Sequence, residues 1–321
     1  MKKRIVVTGA GKNGFLGNHV KKAFLLHEAE LFNVDVIYTG SEYNLVKQDD
    51  AYYLFIDLKP DVLVHMAAVC GGILANKNSP ADFLYDNTQM SLNVYDGARK
   101  FGCKTVYTLG SVCSYPLNCP VPFKEDDLFN GYPEHTNAPY GQAKRTLLML
   151  GQTYREQYGI GGAHLIPVNM LGEWDHFDLT NSHVIPALIN KFIHAKENNL
   201  SSVSVWGTGE ATREFLYAGD CANAIVKAVI CELDTPVPIN IGTGKDISIK
   251  DLAFLLRQLT EYTGEIVFTS EVSDGQPKRR LDVSRAKELF GFEAQTNLED
   301  SLKKTIAWYK DNRFFKKFGK R

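Results

Sequence analysis

Tyr140 and Lys144 stand four residues apart in the stretch Tyr140, Gly141, Gln142, Ala143, Lys144. On a helix that spacing puts both side chains on one face, one turn from each other. A free phenol has a pKa of about 10, too high for ready ionisation near neutral pH. A lysine ammonium beside it favours the phenolate and lowers that value. Such a tyrosine can give a proton to a carbonyl oxygen while hydride reaches the carbon. The spacing alone also fits an exposed lysine over a half-buried tyrosine. Two further features bear on the choice: a glycine-rich turn near the N-terminus, and Ser111 at the end of an apolar run upstream of the pair.

The elements that must position these residues read as alternating strands and helices. Arg4 to Thr8 is a short β-branched run, and a helical pattern follows from about Phe15 to His27. Between them lie Gly9, Gly11, Gly14 and Gly17. Glycines there allow positive φ and let the backbone approach a pyrophosphate, which sits on the helix N-terminus. Val34 to Tyr38 reads as the second strand and continues into Thr39, Gly40 and Ser41, with Glu42 coming late. An NAD-selective chain usually closes this strand with an acid for the ribose 2′-OH, so its absence argues for NADP. Val62 to Met66 is the next strand, and Ala67 and Ala68 after it are small enough for a cofactor to lie against the backbone or for tight packing. The helix from about Asp82 to Lys100 carries an apolar stripe that suits either a core or an interface. Thr105 to Leu109 is a buried strand, Leu165 to Asn169 is expected as a sixth strand, and Ile239 to Gly242 as a late one. Ser248 with Asp251 caps a further helix. The last amphipathic helix, about Leu298 to Tyr309, reads as a surface helix.

Composition narrows the class. The chain has 321 residues, enough for about two domains, and a net charge of -1, which gives no support to a nucleic-acid partner. Six cysteines (70, 103, 113, 119, 221 and 231) lack C-x-x-C pairing and read as reduced thiols of a cytoplasmic protein. The first strand starts so early that a signal peptide is not expected. No apolar run approaches the roughly 20 residues of a membrane span. The basic end, Lys316 to Arg321, reads as a solvated tail.

The glycine turn, Ser111 and the Tyr140–Lys144 pair together resemble the extended short-chain dehydrogenase/reductase superfamily. Gly11, Gly14 and Gly17 fit its Gly-x-x-Gly-x-x-Gly pattern, with Gly9 ahead of them and a loop about two residues longer than usual. Asn44 and Leu45 resemble its adenine-contacting Asp-Leu. The resemblance implies an α/β fold: a doubly wound parallel sheet with a smaller C-terminal α/β substrate domain. The expected division is an NADP-binding domain over 1–170 with a return segment near 211–242, and a substrate domain over 171–210 and 243–321. The cofactor set it implies is Gly9, Gly11, Gly14, Phe15, Leu16, Gly17, Ser41, Asn44, Leu45, Ala67, Ala68, Tyr140, Lys144, Pro167, Asn169 and His183.

Ser111-x-Cys113-x-Tyr115-Pro116, downstream of Ala67-Ala68-x-x-Gly71-Gly72-Ile73, is more specific, and resembles the GDP-L-fucose synthase family. So do Ser182-His183-Val184-Ile185-Pro186 and Trp206-Gly207-x-Gly209 followed by Arg213-Glu214-Phe215. Ser273 to Arg279 is similar to the family's Asp-Gly-x-x-Lys/Arg, while Leu171 to Asp175 departs from its Tyr/Phe-Gly-Pro. By this resemblance Ser111 orients a carbonyl, Cys113 and His183 move carbon-bound protons, and Tyr140 and Lys144 serve reduction. Lys191, Trp206, Arg213 and Asp282 hold the sugar nucleotide. A packed thiol for Cys113, a helix cap for His183 and a core anchor for Trp206 are the plain alternatives. The implied activity is NADPH-dependent C3/C5 epimerisation and C4 reduction of a GDP-4-keto-6-deoxy sugar by a homodimer joined through helices near 83–100 and 140–158. Reduction of a related 6-deoxyheptose or 3,6-dideoxyhexose, with or without epimerisation, is the other reading.

Overall fold

The computed structural model describes residues 2–12, 14–179, 182–269 and 275–318, with side chains to residue 313. The first part of the chain runs β1 (Lys3–Thr8), α1 (Phe15–Leu26), β2 (Val34–Tyr38), α2 (Gln48–Leu58), β3 (Val62–His65), α3 (Ile73–Asn78), α4 (Pro80–Phe101) and β4 (Thr105–Leu109). Next come α5 (Ala138–Tyr158), β5 (His164–Pro167), β6 (Asn169–Leu171), α6 (Val184–Glu197), β7 (Ser202–Trp206), β8 (Thr212–Tyr217) and α7 (Ala218–Ile230). The remainder is β9 (Ile239–Ile241), β10 (Asp246–Ser248), α8 (Ile249–Thr260), β11 (Glu265–Thr269), β12 (Lys278–Arg279), α9 (Ser284–Phe290) and α10 (Leu298–Phe318).

Six strands form one parallel sheet in the order β2-β1-β3-β4-β5-β9. The direction of winding reverses between β1 and β3, and a crevice opens there at the carboxyl ends of the strands. Successive residues of a strand face opposite sides. Ile5 and Val7 accordingly pack with Val20, Phe24 and Ile225 on one side, while Val6 packs with Leu54, Phe55 and Val94 on the other. Both faces are covered, which is why the inner strands carry apolar neighbours such as Ile5-Val6-Val7 and Val62-Leu63-Val64 in succession rather than strict alternation.

A second core lies under smaller sheets. β8 pairs with β10, β12 and β6, and β7 pairs with β11. Phe192, Leu252, Leu256, Leu302 and Ile306 fill the space beneath them. Within the expected return segment, β8 belongs to this smaller sheet, whereas α7 and β9 cover and extend the large one.

Two sequence expectations change. The stretch expected as a sixth strand is the fifth in the chain and ends at Pro167; Val168 still donates to Ile241 O, and Asn169 then starts β6 against Phe215. The last helix runs to Phe318, and its Leu302 and Ile306 are buried in the second core, so it is not simply a surface helix. No described helix is long and apolar enough to cross a membrane.

Candidate active site

The glycine turn forms a cradle at the crevice. Gly9 has φ +73°, and a side chain on it would bring a Cβ to 2.7 Å from Ala67 N. A Cβ on Gly17 would stand 2.6 Å from Ala10 Cα. Gly14 caps α1 without a side-chain acceptor, so the first amides of α1 remain for a ligand. Phe15 and Leu16 open that helix half-buried. A dinucleotide pyrophosphate fits this donor set. On the other side of the crevice Ala67 and Ala68 leave β3, and their loop is held by Asn87. Its Oδ1 accepts from Val69 N at 3.0 Å and its Nδ2 donates to Val69 O at 2.9 Å. The sequence reading missed Asn87, whose only signal was a polar residue within an apolar helical stripe.

At the end of β2 the late acid folds back. Glu42 Oε1 accepts from Gly40 N at 2.8 Å, beside Gly11. Ser41 is exposed, Asn44 Oδ1 accepts from Val46 N at 3.1 Å, and Leu45 is buried with its carbonyl bound by Asn93.

The reactive side chains converge where β4 meets α5. Ser111 leaves β4, and its Oγ accepts from Cys113 N at 3.2 Å, setting a single turn that presents Cys113. A Cβ at Gly141 would strike Cys113 O, so only glycine lets α5 pack backbone to backbone on this turn. That contact brings Tyr140 to Cys113 and Ser111. Lys144 lies 5 % exposed beneath it, donating to Leu109 O at 3.0 Å with its ammonium 5.7 Å from the Tyr140 ring centroid.

The electrostatics correct one sequence expectation. Burial pushes the Tyr140 phenol well above 10, the Cys70 and Cys113 sulfurs add to the rise, and a hydrogen bond with Ser111 opposes it. Burial also lowers Lys144 to about 8. Desolvation therefore outweighs the attraction expected between ammonium and phenolate, and Tyr140 rests as an acid. His65 and His164 are pushed down to about 3, by burial first and then by the Lys144 charge. They stay neutral and pair with Thr8 (3.0 Å) and Thr108 (2.8 Å). Cys70, unflagged by the sequence reading, is a second thiol that interacts with both Tyr140 and Lys144. All six cysteines are free.

The other expected residues lie on or beside β5, β6, α6, β7, β8 and the segment after β12, and the hydrogen bonds of Asn169, Lys191 and Asp282 go to partners other than Ser111, Cys113, Tyr140 or Lys144. Pro167 ends β5, and Asn169 Nδ2 donates to Glu214 O at 3.1 Å. His183 is the N-cap of α6; it keeps solvent-accessible surface, and the protein mass around it lowers its pKa. Lys191 Nζ donates to Ser204 O at 2.9 Å and lies 4.8 Å over the Trp206 ring. Trp206 is 44 % exposed, which excludes a core anchor. Arg213 is half-buried on β8, in register with Arg279 of β12. Asp282 is engaged locally, accepting from Ser284 N and Oγ at 3.0 and 2.6 Å. Ser273 and Asp274 lie outside the described residues.

A doubly wound sheet, a glycine cradle at its switch point and a Tyr–Lys pair beside it define a nucleotide-cofactor epimerase/reductase fold. The model of the NAD dependent epimerase/dehydratase family matches residues 5–242. A GDP-L-fucose synthase of Sinorhizobium fredii is 37 % identical over 310 residues, covering 97 % of this chain and 96 % of that protein. The chain belongs to this family and, within it, to the GDP-L-fucose synthase family. Among solved structures, a GDP-6-OMe-4-keto-L-xylo-heptose reductase from C. jejuni superposes with a TM-score of 0.88 at 27 % identity, covering 97 % of this chain and 98 % of that one. A GDP-L-fucose synthetase from Naegleria fowleri bound to NADP gives 0.85 at 28 %, covering 97 % and 94 %.

Proposed function

We propose that this protein is an NADPH-dependent epimerase/reductase that converts GDP-4-keto-6-deoxymannose, inverting C3 and C5 and reducing C4 to a GDP-L-fucose-type product. The observation that carries this reading is the convergence of Ser111, Cys113, Tyr140 and Lys144 at the junction of β4 and α5, next to a cradle that fits a dinucleotide. NADPH, once bound, supplies the hydride for C4.

The chain's own residues do the rest. A C4 ketone acidifies the hydrogens on C3 and C5, and inversion needs a base on one face of the sugar and an acid on the other. Cys113 takes a proton from carbon, the C–H electron pair passes into the enolate, and His183 returns a proton from the opposite face. The Ser111 hydroxyl and the Tyr140 phenol donate to the enolate oxygen. Tyr140 then protonates the C4 oxygen. Lys144 holds the ribose and steadies the phenolate that results. Gly9, Gly11, Gly14 and Gly17 cradle the pyrophosphate, and Ser41 and Asn44 face the adenosine end. Lys191, Trp206 and Arg213 hold the sugar nucleotide, with the planar Arg213 fork suited to a diphosphate. Asp282 completes the substrate set.

Incubation with GDP-4-keto-6-deoxymannose and NADPH, read by product NMR, tests this. GDP-L-fucose is expected, and a product reduced at C4 with its C3 and C5 unchanged would contradict it. One observation favours a second reading, C4 reduction of a related GDP-4-keto heptose or dideoxy sugar. The loop after β6 carries Glu173, Trp174 and Asp175 in place of the family's usual residues, and Trp174 has φ +65°. A loop that departs from the family's pattern suits a different sugar.

The assembly we infer is a cytoplasmic homodimer through α4 and α5. These helices leave Leu84, Tyr85, Leu92, Met149 and Tyr158 exposed, an apolar surface that a second copy would cover. Light scattering at micromolar concentration is expected to give twice the mass of one chain; a monomer would contradict it.

A further inference from the structure

We propose that Arg279 is the positioning residue that holds the Cys113 sulfur for its part in epimerisation, a role that rests on reading Cys113 as the carbon base. Arg279 comes from β12 in the second sheet and is 7 % exposed. Its Nη1 points at Cys113 Sγ across 3.8 Å. A buried guanidinium needs acceptors or an anion to offset its desolvation.

One acceptor is fixed by geometry. The Gln276 amide NH2 donates to Pro116 O at 3.1 Å and to Leu117 O at 2.8 Å, two carbonyls that admit only a donor. That leaves Gln276 Oε1 for Arg279 Nε, at 3.0 Å. The pair of bonds ties Arg279 to the segment just after Cys113, so the guanidinium and the sulfur are held from one piece of chain. Gln276 is itself 3 % exposed, which keeps this tether dry.

Other charged or titratable groups face this point from neighbouring elements. Tyr140 on α5 is protonated and interacts with the sulfur. Arg145 on α5 spends its guanidinium on Ser114 O and Gly131 O. Glu134 senses Arg279, but its oxygens accept from Thr136 and Asn137 in its own loop. Besides Gln276 Oε1, Arg279 contacts the Cys113 sulfur directly, while Glu134 acts on it through charge. A cation next to a thiol favours the thiolate, which is the form able to take a proton from carbon. Arg279 is also in register with Arg213, so one short strand pair carries two guanidinium groups.

The test is alkylation of Cys113 by iodoacetamide in the NADP-bound protein without sugar nucleotide, from about pH 5 to 10, followed by mass spectrometry of its peptide. Arg279→Gln is expected to slow the reaction about tenfold near neutral pH. Arg279→Lys should restore most of the loss, and the exposed Cys231 should be unaffected in both. A wild-type profile in Arg279→Gln would overturn the proposal. Should that variant not fold, Gln276→Ala, which only unties the guanidinium, should slow the reaction in the same way; an unchanged rate overturns the proposal as well. Because no sugar is present, failure here removes the role of Arg279 alone and leaves the reading of Cys113 as a base to stand or fall on proton exchange.

Discussion

The carbonyl oxygen of Cys113 occupies the space a side chain on Gly141 would need. The helix carrying Tyr140 and Lys144 thus rests directly on the backbone of the turn carrying Cys113. Gly141→Ala should force the two apart. Overpacking of this kind costs about 1–3 kcal/mol. A fall in denaturation midpoint together with a loss of kcat larger than the change in KM is expected. Unchanged kcat would mean that this contact does not set the site.

Cofactor choice follows from the end of β2. Thr39, Gly40 and Ser41 bring no acid there, and Glu42 accepts the Gly40 amide instead. Comparison of kcat/KM should favour NADPH over NADH by about tenfold or more, what one charge-assisted contact supplies. A preference for NADH would contradict this reading of the β2 end.

Lys144 gives a pH dependence with a definite sign. Burial lowers its folded pKa to about 8, below the unfolded value of about 10.4. Between those values the unfolded chain binds more protons, so the folded state gains stability as pH rises through this window. Activity has the opposite trend, because reduction uses the ammonium and loses it above about pH 8. Single-turnover reduction should therefore decline with a midpoint near that value. Lys144→Arg, whose charge does not titrate, should lose the decline while running about a hundredfold slower from misplacement. A decline that persists unchanged in Lys144→Arg would assign it to another group.

Much of this architecture is legible in the sequence, for physical reasons. Strands covered on both faces are mostly apolar, so Val62 to His65 and Thr105 to Leu109 stand out between polar turns, with His65 and Thr108 as buried polar exceptions. The glycine cradle is legible because only glycine tolerates the backbone approach at Gly9 and Gly17. The end of β5 was not, since a single residue separates strands in two different sheets and local pattern carries no trace of which partner each will find. Nor was the state of Tyr140. Spacing places Lys144 beneath it, but desolvation depends on everything packed around the pair, and it reverses the expected shift. Asn87 and Gly141 act on residues distant in sequence, Val69 and Cys113, and nothing local announces such contacts.

The central claim is that one site runs two chemistries, with Cys113 and His183 on carbon-bound protons and Tyr140 and Lys144 on reduction. Solvent deuterium uptake at C3 and C5 of GDP-4-keto-6-deoxymannose, followed by NMR in the wild type, Cys113→Ser and Tyr140→Phe, tests it most directly. Loss of one general acid–base group typically costs about 10²–10⁴-fold. Cys113→Ser should suppress uptake on that scale while still reducing unepimerised ketone, and Tyr140→Phe should lose most reduction while retaining some uptake. Wild-type rates of uptake and product formation in Cys113→Ser would contradict the account and leave a simple 4-ketoreductase in which Cys113 only packs or touches the sugar.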